Sequence, residues 1–301
     1  HATSMLCGPT PLRGGNNSAN YQAEFFENMP KIRINGLDHY YEQIGEGSSL
    51  VFIHGAFADS RIWEPQWNTF SSKYRLLRYD LRGHGKTGTS DLDQYSISTF
   101  ADDLASLLDA LEIHSPILCG LSWGGSIAQA FAVRNPGKPK ALVLAGSAVA
   151  IDLTLMDKIL CKVLFPKWAM VLTIKLMSVE NFTRFSFWLA RMTLGKDWLS
   201  RDKDAREYLE QCMFKMDSKE YLKIWKALYD FHVLPLERIT CPTLVLNGEL
   251  ESKNTFHHTE EILRRVPQAQ AKIVPAARHG MNLDEPKAFN EFLDAFLHHC
   301  T

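Results

Sequence analysis

Gly120-Leu121-Ser122-Trp123-Gly124 forms a Gly-x-Ser-x-Gly pattern where an apolar run, Pro116 to Cys119, gives way to helical spacing. A serine on a sharp strand-to-helix turn is held clear of the sheet, and small neighbours are needed because a Cβ there would collide with adjacent backbone. The helix N-terminus behind it favours developing negative charge. A plainer role for Ser122 is to cap the helix that starts at Trp123, but the strand before and the helix after favour a nucleophile. A hydroxyl is a weak nucleophile at neutral pH and needs a base within hydrogen-bond reach, itself oriented by a third group. His279, in Ala277-Arg278-His279-Gly280, follows the last strand-like run, and loops at the C-terminal edge of a parallel sheet are where such sites collect. His257, His258, His298 and His299 fall on or beside helical patterns and read as solvated or partly packed; His54 and His84 follow strands, so position alone does not exclude them. The acid is expected after the Thr243 to Leu246 run, where Asn247-Gly248-Glu249-Leu250-Glu251 supplies two glutamates and no aspartate. Glu251 is chosen over Glu249, to hold the His279 tautomer and stabilise its imidazolium.

The elements that must position these residues are legible as changes of period. Lys31 to Ile34 and His39 to Gln43 read as strands joined by an Asn35-Gly36 hairpin turn. Leu50 to Ile53 is a continuous apolar run of the kind buried on both faces, and Tyr74 to Tyr79 makes a further strand, ended by Asp80 and the turn Arg82-Gly83-His84-Gly85. Phe100, Leu104, Leu107, Leu108 and Leu111 follow helical spacing, as does Ile127 to Val133 before a strand at Ala141 to Leu144. From Ile151 to Leu236 the strand signal vanishes, and helical patterns such as Tyr221, Ile224, Trp225, Leu228 and Tyr229 take over. Alternation resumes with Thr243 to Leu246, a helix near Thr259 to Val266, a strand at Ala271 to Val274 and a helix from Pro286 to Leu297. The fold class is therefore α/β, a mostly parallel, doubly wound sheet with an inserted all-helical cap. The expected divisions are a flexible N-terminal segment over 1–30, a core built from 31–150 and 237–301, and a cap over 151–236.

The 301 residues are 46% apolar and 22% charged with a net charge of −1, an ordinary globular balance with no field that would attract nucleic acid. The six cysteines, at 7, 119, 161, 212, 241 and 300, show no metal-binding spacing and read as free thiols. His1 to Met5 reads as a cloning remnant, and the polar stretch after it does not resemble a signal sequence, so the Asn16 and Asn181 sequons carry little weight and a cytoplasmic location is expected. Ile159 to Met177 is apolar enough to raise a membrane question, but Lys162, Lys167 and Lys175 interrupt it and Pro166 splits it, which argues against spanning and leaves a membrane-surface contact through the cap.

In order along the chain, Val51-Phe52-Ile53-His54-Gly55, Tyr79-Asp80-Leu81-Arg82-Gly83-His84-Gly85, Gly120 to Gly124, and His279 with Glu285-Pro286 together resemble the α/β-hydrolase superfamily, from Lys31 onward. In that superfamily the acid stands three residues after the glycine of the late strand's turn, which is Glu251 after Gly248; aspartate is the usual occupant. The resemblance also implies an oxyanion hole from the backbone N–H groups of Ala56 and Trp123. Asp80, Arg82 and His84 read as a structural turn, and Asp102 and Asp103 as a solvated helix edge.

The implied chemistry is acyl transfer through Ser122 on a small-molecule ester or lactone with an apolar acyl or alcohol group, with no metal or organic cofactor required. The strand-turn segments look most similar to the esterase and enol-lactonase branch. In proteins similar to this one the helical insertion covers the nucleophile and lines the pocket. Here it holds Trp168, Phe182, Phe185, Phe187, Trp188, Trp198 and Trp225 with Met156, Met170, Met177 and Met192, most of which are expected to pack the cap onto the sheet. Carbon–carbon bond hydrolases share the same three residue types, and some ligand-binding receptors resemble hydrolases down to the triad. A third alternative, a peripheral membrane lipase, rests on Ile159 to Met177. Epoxide hydrolases and haloalkane dehalogenases place an aspartate where Ser122 stands.

Overall fold

A computed structural model describes residues 30–300, so the N-terminal segment, Cys7 and the Asn16 sequon lie outside the described residues. Strands β1 (Lys31–Ile34) and β2 (Leu37–Ile44) form the expected antiparallel hairpin, with Ile34 opposite Leu37 and positive φ at both Asn35 and Gly36, the backbone that two-residue hairpin turns demand. β2 pairs antiparallel with β4 (Arg75–Tyr79). The remaining neighbours, β3 (Ser49–Ile53), β5 (Ile117–Leu121), β6 (Ala141–Ala145), β7 (Thr243–Gly248) and β8 (Ala269–Val274), run parallel, giving the order β1-β2-β4-β3-β5-β6-β7-β8.

The central strands read as unbroken apolar runs because both faces are covered. Val51, Ile53 and Leu118 point into one core with α2 (Ile97–Ala110), α3 (Trp123–Arg134) and Ile262 of α9 (Lys253–Arg265). Leu50, Phe52, Ile117 and Cys119 point into the other, with Phe70 of α1 (Glu64–Phe70) and Phe289 and Leu293 of α11 (Pro286–His298). This alternation along each strand is the doubly wound arrangement.

Between β6 and β7 the chain is helical, with α4 (Leu155–Ile159), a π-helical turn over Leu160–Leu164, α5 (Lys167–Leu176), α6 (Val179–Leu194), α7 (Lys203–Phe214) and α8 (Ser218–Tyr229). Pro166 caps α5 and separates it from the turn before it, and no helix among the described residues is long and apolar enough to cross a membrane.

Two expectations at the element level need correction. β5 runs two residues past Cys119, so Gly120 belongs to the strand itself, and α9 starts at Lys253 rather than near Thr259. Asp103 is not a solvated edge: it is 2% exposed. Its carboxylate takes the Arg82 guanidinium in a forked pair at 2.8 and 2.7 Å, accepts from Asn35 Nδ2 at 3.0 Å and faces His39 Nε2 at 3.4 Å. Asp103 lies three residues after Phe100 and four before Leu107, on the buried face of α2. Asp102, one position round the helix, is exposed and pairs with Arg134.

Candidate active site

Ser122 is the hinge between β5 and α3. Its backbone sits at φ 54°, ψ −118°, a strained combination for a side-chain-bearing residue, and is held there because its N–H donates to Ala145 O at 2.7 Å while Gly125 and Ser126 donate to its carbonyl. A Cβ at Gly120 would run into the backbone of Gly124 and Gly125, and one at Gly124 into Ile53 O, so both outer glycines are steric requirements of the turn. The hydroxyl makes no capping bond to α3, so the helix-cap role does not account for it.

His279 stands on the loop between β8 and the short helix α10 (Met281–Asp284). Its Nδ1 lies 2.6 Å from Glu251 Oε1, with Glu251 2% and His279 28% exposed. Burial alone would lower the His279 pKa; the hydrogen bond and charge of Glu251 outweigh it and leave the imidazole above its ordinary value. Glu249 turns the other way, its Oε2 accepting the Ala276 N–H at 2.8 Å. The loop carrying the imidazole is fixed by Arg278, whose Nη1 donates to Leu250 O at 2.7 Å and whose N–H donates to Asp284 Oδ2 at 2.8 Å.

Gly146 joins the two halves of the site. It follows Ala145, the residue that anchors Ser122, and a Cβ on it would come within 3.0 Å of both Glu251 Oε1 and His279 Nδ1 at a φ of +52°. Sequence reasoning passed over this residue, although a glycine at the C-terminal end of a buried strand was a visible signal. Among the described residues the Ser122 hydroxyl makes no hydrogen bond; in ligand-free sites such contacts are commonly longer than in substrate complexes.

The amide N–H groups of Ala56 and Trp123 have no acceptor among the described residues. Trp123 is the first residue of α3, where an unpaired N–H is inherent to helix geometry. The Ala56 loop is held from below by two buried imidazoles. His84 Nε2 accepts the Phe57 N–H at 3.1 Å and its Nδ1 lies 2.9 Å from Arg82 O; His54 Nε2 accepts the Leu81 N–H at 2.9 Å and its Nδ1 lies 2.7 Å from Gly55 O. Burial, with His54 adding to it, pushes the His84 pKa down to about 3, and burial lowers that of His54 as well. Each ring is thus neutral with its proton on Nδ1, an acceptor for one turn and a donor to another. Asp80 accepts from the N–H groups of Ser60 and Lys86, so the Asp80-to-His84 segment fastens two loops together, as a structural turn does.

A cleft of about 240 Å³ opens beside the Glu251–His279 pair, lined by Trp198, Leu250, Glu251, Ser252, Thr255, Arg278 and His279. Of the aromatic and Met residues expected to line or pack the insertion, Phe182 and Phe187 are buried, and Trp198, Trp225, Met170 and Met177 pack against the cores. Trp168, Phe185, Trp188 and Met192 face solvent, because they fall on the outer sides of α5 and α6. No cluster of three His, Cys, Asp or Glu side chains among the described residues is placed to hold a metal ion.

Comparison with known proteins agrees with this architecture. The chain is similar to 3-oxoadipate enol-lactonase 2 of Acinetobacter baylyi, 24% identical over 250 residues that cover 83% of this chain and 88% of that protein. Among solved structures it resembles the enol-lactonase from Burkholderia xenovorans LB400, at a TM-score of 0.75 and 24% identity over 89% of this chain and all of that one. It also resembles the esterase EaEST from Exiguobacterium antarcticum, at a TM-score of 0.74 and 22% identity over 88% of this chain and 97% of that one. Residues 50–292, which run from the first buried strand to the last helix, match the alpha/beta hydrolase family, and the chain belongs to that family.

Proposed function

We propose that this protein is a serine hydrolase that cleaves a carboxylic ester or lactone through an acyl-enzyme on Ser122. The observation that carries the reading is the 2.6 Å contact between His279 Nδ1 and Glu251 Oε1 over Gly146, the residue after Ala145, whose carbonyl accepts the N–H of the strained Ser122. His279 takes the Ser122 proton as the hydroxyl attacks the carbonyl carbon, and the tetrahedral oxyanion is met by the Ala56 and Trp123 amides. His279 then protonates the departing alkoxide, and water attacks the acyl-enzyme with His279 again as base. Each oxyanion donor is worth about 10² to 10³ in rate.

The similarity to enol-lactonases and an esterase supports an ester or lactone as the bond cleaved. An apolar acyl or alcohol group suits the wall next to Ala56, where Phe57 packs on Tyr221 and Trp225 with ring centroids 4.7 and 5.8 Å away. Residues 151–236 act as the cap over a core built from 31–150 and 237–301. Supporting this, Trp198 lines the cleft beside His279, and Leu199 O accepts the Gly280 N–H at 2.8 Å.

The test is hydrolysis of a chain-length series of p-nitrophenyl esters by the wild-type protein and by Ser122→Ala. Turnover that falls at least about 10³-fold in the variant is expected, together with covalent labelling of Ser122 by a fluorophosphonate. Absence of both turnover and labelling would overturn the reading in favour of a ligand-binding receptor on a hydrolase fold.

A further inference from the structure

The helices between β6 and β7 leave apolar side chains exposed on faces that pack against nothing among the described residues. Eleven of the seventeen exposed large apolar side chains among the described residues fall between Leu155 and Met192. On α5, Trp168, Leu172 and Leu176 recur at four-residue spacing and are 71%, 48% and 77% exposed, while Ile174 on the other side is buried and Met170 packs on the core. A helix apolar on both sides is one with a second apolar environment to meet. α6 continues the pattern with Met192 and the stacked rings of Phe185 and Trp188. Exposed apolar residues scattered singly are ordinary, whereas this concentration marks an interaction surface.

Charge decides what meets it. Residues 151–200 carry seven Lys or Arg and four Asp or Glu, in a chain whose net charge is −1, with Lys167 and Arg191 paired to Asp230 and Glu210 outside that stretch. None of the four acids is exposed without a partner: Asp157 is buried, Glu180 pairs with Arg184, Asp197 with Arg278, and Asp152 lies near Lys162 and His232. Lys158, between Leu155 and Ile159, and Lys175, on the same side of α5 as Trp168 and Leu172, are exposed and have no ion-pair partner among the described residues.

We propose that this lysine-flanked apolar face docks on the surface of an anionic bilayer. The Trp and Leu side chains enter the boundary between headgroups and acyl chains, where aromatic rings are favoured, and the lysine ammonium groups reach lipid phosphates. A second copy of the chain fits the face poorly, because it would bring the same positive excess against itself with no unpaired acid to meet it.

The full chain is sedimented with phosphatidylcholine vesicles prepared with and without phosphatidylglycerol, a readout of binding that does not depend on Ser122. The expected result is binding to the phosphatidylglycerol vesicles that weakens with salt. It should fall by about fivefold for each of Lys158→Gln and Lys175→Gln and by roughly tenfold or more in Trp168→Ser/Leu172→Ser. All four side chains are exposed, so thermal midpoints should stay at the wild-type value, which separates lost binding from lost fold. No binding, equal binding to both vesicle types, or binding unchanged in the Trp168→Ser/Leu172→Ser variant would overturn the proposal. So would a dimer in sedimentation equilibrium that the same variant breaks, which would make a second copy the occupant.

Discussion

Ser122 holds a backbone conformation that costs on the order of 1–3 kcal/mol, and its positive φ of 54° is what aims the hydroxyl away from β5. The His279 pKa is one that burial would lower and Glu251 raises, the second effect winning. A base must be neutral to take the serine proton, so kcat/KM is expected to climb with pH through this elevated pKa and to fall below it. Glu251→Gln removes the charge that lifts the imidazole. Its pH–rate profile should show the acidic limb moved to lower pH, with the plateau reduced by about 10³ to 10⁴. A limb that does not move would mean that Glu251 is not what lifts the His279 pKa.

The loops after β3 and β4 depend on imidazoles that must stay neutral. His84 is held neutral down to about pH 3 by burial and by His54, whereas in the unfolded chain it takes up a proton near its ordinary value of about 6.5. Above that pH neither state binds the proton, and the histidine adds no pH dependence. Below it the unfolded state gains a proton that the folded state refuses, so stability falls as pH drops from about 6.5 toward 3, by up to about 1.4 kcal/mol per pH unit for this histidine. Urea midpoints followed from about pH 7 to about pH 4 should show the decline, with a shallower slope in His84→Gln. Equal slopes would show that His84 is not held neutral in the fold. Because His84 accepts the Phe57 N–H, the same variant loosens the residue after Ala56.

At the scale of the whole molecule, the helical insertion has one side tied to the core and one side facing water. The tie centres on Glu220, 2% exposed at the start of α8, whose carboxylate accepts from the Ser90 N–H and the Tyr95 hydroxyl and pairs with Lys223 at 2.6 Å. Glu220→Ala would leave the buried Lys223 ammonium without its counter-charge and the Tyr95 hydroxyl without an acceptor. A loss of about 3–5 kcal/mol is expected from urea denaturation. A loss under about 1 kcal/mol would show that the insertion is held by its apolar contacts instead. The outer side, with Trp168, Leu172 and Leu176 in water, gains nothing from the core and is free to meet a surface.

What the sequence determined by itself is what local rules govern. Period changes located the eight strands, Asn35-Gly36 announced its hairpin because few dipeptides adopt positive φ twice in succession, and Gly120 to Gly124 pointed to Ser122 because only such residues fit that turn. The order of elements then left His279 as the best-placed base. What only the tertiary structure decided are choices between residues of equal local standing. Glu249 and Glu251 share one loop and one chemistry and are equal by local rules; the family resemblance favoured Glu251, and the packing of that loop turns Glu251 to His279 and Glu249 to Ala276. Asp102 and Asp103 are neighbours on one helix, yet the approach of Arg82 buries one and leaves the other in water. Gly146 matters only because two distant loops converge on it. The Trp and Met residues of the insertion look alike as a sequence, and which of them face the core and which face solvent is set by how the helices dock, since burial is a property of the neighbours and not of the residue.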